Sequence, residues 1–128
     1  MRLKLLVTML WFSLFSLAAH ADQVTLKNGD RLSGAIVKTD DGAKTLLMKT
    51  ELAGDVTIPW DAVTGIISTQ PLHLTLSDGR VIVGIVSTND GKLEVATPNS
   101  GTVVAEHADV KVIRNDAQQE EADHLLHP

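Results

Sequence analysis

"LKNGDRLSG", Leu26 to Gly34, returns as "LSDGRVIVG", Leu76 to Gly84, with both glycines and the gap between them kept. The echo extends outward from there. "VTLKNGDRLSGAIV" (24–37) matches "LTLSDGRVIVGIVS" (74–87), and "DGAKTLLMKT" (41–50) matches "DGKLEVAT" (90–97) after a two-residue shortening. "GDVTIPWDAVTGI" (54–66) matches "GTVVAEHADVKVI" (101–113). The chain therefore holds two copies of a unit of about 45 residues, within the range of structural repeats, and two copies are too few for a long solenoid or propeller.

Inside each unit the apolar residues alternate, as in Val24 and Leu26, Leu46 and Met48, or Val56 and Ile58. That is the period of β-strands. Asn28-Gly29, Asp41-Gly42, Asp78-Gly79 and Asp90-Gly91 separate these runs and supply the positive φ angles that tight hairpins need. Gly29 and Gly79 are thus assigned to the first turn of each unit. Gly34 and Gly84 fall in mid-strand, where glycine weakens a strand unless the chain bends or another backbone comes close. Each unit is predicted to contain one folded-over strand that belongs to two sheets. The expected fold is all-β, with two tandem small β-barrels, residues 22–70 and 71–114, packed together because the linker Ser68 to Pro71 is short. Trp60 is expected to be mostly buried at the end of the first barrel.

The N-terminus reads differently. "MRLK", the apolar run Leu5 to Leu17 and the small-residue exit "AAHA" have the form of a secretory signal, with cleavage expected before Asp22. The run is well short of the roughly 20 residues of a membrane-spanning helix. Removing residues 1–21 takes away Arg2 and Lys4, which makes the net charge of −5 more negative by two. An acidic chain is repelled by nucleic acid and anionic lipid. There is no cysteine, so no disulfide can staple the fold in an oxidising compartment. Trp11, Phe12 and Phe15 leave with the signal, and Trp60 is then the only aromatic side chain. Strands this short, with one aromatic, lack the apolar rows and aromatic girdles of a membrane barrel, so no direct membrane insertion of the mature chain is expected.

His124 and His127 beside Glu120, Glu121 and Asp123 are read as a solvated tail rather than a metal site. His73 and His107 are read as half-buried packing residues. Asp40, Asp41 and Asp90 fit turns better than a calcium loop. Ser33, Ser68, Ser77 and Ser100 sit in no nucleophile elbow. No catalytic residue, metal or cofactor is assigned, and the chain is read as a non-enzyme. The segment "NDAQQEEADHLLHP", within residues 115–128, suits a short helical or disordered connector with Asn115 or Asp116 as cap and Gln119 near the third position.

The second copy differs from the first in one telling way. "VIVGIV" is apolar on both faces, with Ile82 and Val86 on one and Val81, Val83 and Ile85 on the other. A strand with two apolar faces has to be covered twice. Val81, Val83 and Ile85 are therefore the candidate interface, either between the units or with a partner.

Two resemblances follow from these residues. "VTLKNGDRLSGAIV" resembles the first half of the Sm-like motif, a pattern shared by small barrels of SH3-like build. The corresponding Sm loop holds RNA, but here it reads "TDDGA", Thr39 to Ala43, and its carboxylates oppose that use. More broadly, "DQVTLKNGDRLSG", "GDVTIPWDAV", "LHLTLSDGR" and "VIRNDAQQ" together resemble the periplasmic N-terminal region of the YdiY-like, salt-inducible outer-membrane protein family. In that family a transmembrane β-barrel follows the region, whereas this sequence stops at Pro128. The resemblance implies a periplasmic, non-catalytic accessory module whose partner is a same-family outer-membrane barrel or another protein. The alternative is a free-standing periplasmic domain that binds a peptide or glycan, or that forms homo-oligomers through strand edges as Sm-like rings do. No nucleic-acid partner is expected.

Overall fold

The computed structural model describes residues 21–40 and 42–126. The predicted signal (1–21) lies almost wholly outside them, as do Asp41 and His127. Within the described residues the chain is all-β with one short C-terminal helix. The first repeat contributes β1 (Asp22–Leu26), β2 (Arg31–Thr39), β3 (Thr45–Thr50), β4 (Gly54–Pro59) and β5 (Val63–Ile67). The second contributes β6 (Leu72–Leu76), β7 (Val81–Asn89), β8 (Lys92–Thr97), β9 (Gly101–Ala105) and β10 (Val110–Asn115). Each fourth strand enters its fifth through a single 3-10 turn, Trp60–Ala62 or His107–Asp109, and α1 (Asp116–Leu126) follows β10.

The glycines act where the repeat places them. Gly29 and Gly79 have φ of +91° and +90°, which an L side chain resists. Gly34 and Gly84 mark the place where the long second strand changes neighbours. β2 pairs with β1 up to Gly34 and with β3 from Ala35, and β7 pairs with β6 up to Gly84 and with β8 from Ile85. A Cβ at Gly34 would run into the Lys49 carbonyl, and one at Gly84 into the Ala96 carbonyl. The mid-strand glycines are there because a neighbouring backbone comes too close for any side chain.

All strand pairs are antiparallel, and the main path runs β4-β3-β2-β10-β6-β7-β8-β9, with β1 joining β2 and β5 joining β1. These ladders do not close around either repeat, in contrast to two separately closed barrels. The fifth strand of each repeat instead lies against the second strand of the other. The Ile113 amide donates to Thr39 Oγ1 (2.7 Å), beside the Arg114–Lys38 pairing of β10 with β2. At the corresponding place the Ile66 amide donates to Thr88 Oγ1 (2.8 Å), and Ser68 and Val86 exchange two bonds of 2.8 Å. Thr39 faces Leu46 and Thr88 faces Leu93, so the two threonines are equivalent once the bulge at Val37 is allowed for. The repeats thus join by two matching threonine contacts.

The result is a single core. Ile36, Leu46 and Ile66 from the first repeat pack in one cluster with Leu74, Val86 and Ile113 from the second. Sharing one core gives a small chain more buried apolar surface per residue than two separate cores would. Asp22 pins the start of β1 into it: its carboxylate accepts the Ile36 amide (2.9 Å) and both the amide and hydroxyl of Thr69 (2.8 and 3.1 Å). No helix among the described residues is long and apolar enough to cross a membrane.

Candidate functional site

Three places on this frame gather unusual side chains. The first is where the 3-10 turns of the two repeats meet. Pro59 ends β4, and Trp60 then turns inward, buried, with its amide donating to the Lys44 carbonyl (2.8 Å). Its indole stacks on the His107 ring and its Nε1–H donates to the His107 carbonyl oxygen (3.2 Å). Trp60, expected at the end of the first barrel, therefore meets its counterpart in the other copy. His107 Nε2 is enclosed without a hydrogen-bond partner among the described residues. A cleft of about 540 Å³ opens beside the pair, flanked by Lys44, Asp61 and Ala108. The stacked rings hold the two turns together.

The second place is the outer side of β7. Val81 and Ile85 are 61% and 46% exposed and Val83 is half-buried, facing Thr75, Ala96 and His73 respectively. By register Val81 and Val83 pair with β6 and Ile85 with β8, strands of their own repeat. Ile82 and Val86 on the opposite face enter the core, and the strand's free edge goes to β5. The outward row remains open to a partner.

The third place lies beside the C-terminal helix, whose cap the sequence offered, but its cations carry no motif. α1 leans on β10 and β6. The Asn115 side chain caps it by accepting the Gln118 amide (2.9 Å), and Asp116 meets His73 Nε2 (2.7 Å). Gln118 thus takes the third helical position; Gln119 instead accepts from Arg114 (3.4 Å) and donates to Asp123 (3.0 Å). Between α1 and β10-β2-β3-β4 runs a groove of about 560 Å³ that holds Lys38 and Arg114 on its floor. These cations come from opposite ends of the chain and become direct cross-strand neighbours only because β10 of one repeat docks on β2 of the other.

His124 is exposed on α1, and no group of three metal-ligating side chains occurs among the described residues. Asp40, on the groove's rim, is occupied locally: hydrogen bonds from the Thr45 and Lys44 amides hold its carboxyl below the usual carboxylate range. No protein-family model, curated protein or solved structure matches the chain.

Proposed function

We propose that this chain is an exported, periplasmic, non-catalytic binding module that docks a protein partner through the outer row of β7, the expected partner being an outer-membrane β-barrel of the family it resembles. The observation that carries the reading is the exposed pair Val81 and Ile85 on a strand whose other face is already spent on the core. An apolar row left in water on a β-sheet is a hazard unless something covers it. The same reading takes each repeat as an SH3-like or Sm-like small-barrel unit, supported by the bent second strand that pairs first with one neighbour and then with another. A photo-crosslinking residue at Val81 tests it in intact cells, with the fully exposed Leu52 as control. The expected product is a Val81-specific adduct in the outer-membrane fraction whose partner shows the heat-dependent gel mobility of a β-barrel. Absence of that adduct, or equal labelling from Leu52, overturns the reading.

A second reading, self-assembly through strand edges, is favoured by β9. This edge strand, "GTVVA", carries no charge and exposes Val104, whereas the opposite edge β4 carries Asp55 and Pro59, both of which discourage pairing. Sedimentation of the Val104→Lys variant against the unaltered chain separates the two: a wild-type oligomer that the substitution dissociates supports self-assembly.

A further inference from the structure

We propose that the groove beside α1 binds a small amphiphilic anion, with its charged head on Lys38 and Arg114 and its apolar body along Leu47, Ala122 and Leu125.

Two like charges meet on the floor of the groove. Lys38 and Arg114 are directly opposite on neighbouring strands, and like charges so placed destabilise a sheet. Among the described residues no carboxylate is within ion-pair distance of either. Asp40 is committed to the amides of its own loop. Glu121, exposed on α1 at the groove, has no ion-pair partner among the described residues and stands as a competitor for an incoming anion. In a chain of net charge −5, two converging cations are a local exception.

The repeat supplies an internal control. By strand register, Lys38 opposite Leu47 corresponds to Ser87 opposite Glu94, and Arg114, which follows Ile113, corresponds to Ile67, which follows Ile66. The equivalent face therefore has a serine and an isoleucine where this one has two cations, and no helix wall beside it. Both faces make the matching threonine contact between the repeats, so that contact does not itself require two cations. The charged version coincides with the added wall of α1.

The shape and chemistry then define the ligand. A groove of about 560 Å³ is the size of a small-molecule site. Arginine offers a planar fork that matches a carboxylate or phosphate, and lysine adds a point charge. Leu47 on the floor and Ala122 and Leu125 on the wall give the rest of the ligand an apolar track, and Leu125 is 77% exposed at its mouth. An acyl chain ending in one anionic group fits this division. Such a group comes either from a free amphiphile or from a lipid headgroup.

NMR titration of the purified protein with sodium octanoate, with inorganic phosphate and with phosphatidylglycerol vesicles tests the assignment. Octanoate is expected to give saturable shifts at the Lys38, Leu47 and Ala122 amides and to bind more tightly than phosphate. Lys38→Gln, at a side chain with no hydrogen-bond or ion-pair partner among the described residues, is expected to weaken it about tenfold, and Glu121→Gln to tighten it. Lys38-dependent binding of octanoate or of the vesicles upholds the proposal, and which of the two binds names the source of the anion. Phosphate binding as tightly as octanoate, or no Lys38-dependent binding of either amphiphile, overturns it. Since β7 takes no part, either outcome is separate from the fate of the partner reading.

Discussion

The indole of Trp60 and the imidazole of His107 lie stacked, ring centroids 4.2 Å apart and planes 9° from parallel, at corresponding positions of the two repeats. Trp60 is only 4% exposed, so its truncation to alanine is expected to cost about 3–5 kcal/mol. His107→Ala is expected to cost less and to uncover one face of the indole. Thermal unfolding measures the first effect, and a red shift of native Trp60 emission reports the second. A native tryptophan that iodide quenches freely, before any substitution, contradicts the stack.

The two kinds of glycine are expected to respond differently to alanine. At Gly29 there is open space but φ is +91°, so Gly29→Ala costs about 1–2 kcal/mol. At Gly34 the added methyl meets a backbone carbonyl that cannot rotate away. Overpacking of this sort costs about 1–3 kcal/mol or more, with a shift of β3 relative to β2. Denaturant melts of both variants should rank Gly34→Ala as the more damaging, and the same order should hold for Gly84 against Gly79.

Thr39 and Thr88 are expected to behave as a matched pair. Thr39→Val leaves the buried Ile113 amide without an acceptor, and Thr88→Val does the same to Ile66. Each loss costs about 1–3 kcal/mol. Hydrogen exchange provides the readout: Thr39→Val should deprotect Ile113 and Thr88→Val should deprotect Ile66. Unchanged protection at those amides shows that the repeats are not joined through these hydroxyls.

Asp40 sets a pH dependence in the loop between β2 and β3. Its carboxylate accepts the Thr45 and Lys44 amides, which lowers its pKa below the ordinary 3.8. A carboxyl whose folded pKa is depressed stabilises the loop above its unfolded value and ceases to do so as pH falls through the folded one. The Asp40 carboxyl should titrate with a midpoint below 3.8, the Thr45 amide shift should follow the same midpoint, and Asp40→Asn should abolish it. A midpoint above 3.8 contradicts the bonding.

Much of the fold was legible because its causes are local. Alternation of apolar residues depends only on the pleat, so the strands could be read residue by residue. Gly29 and Gly79 announced their turns through backbone sterics, and Trp60 announced its burial by being the one large ring left. Asn115 fulfilled the cap, and with the cap on the earlier of its two candidates Gln118 takes the third helical position and Gln119 the next. The groove could not be read at all, since Lys38 and Arg114 sit in unrelated stretches and neither carries a motif.

The sequence by itself determined a duplicated β unit, its turns, its bent strand and the inward set of side chains, all of which follow from φ preferences and a period of two. Tertiary structure alone decided which strand each free edge would meet. Backbone N–H and C=O groups are the same at every residue, so an edge carries almost no record of its partner. The choice goes to the arrangement that buries the most apolar surface, which here sends β10 to β2 and β5 toward β7. That exchange merged two expected cores into one and brought Lys38 and Arg114 side by side.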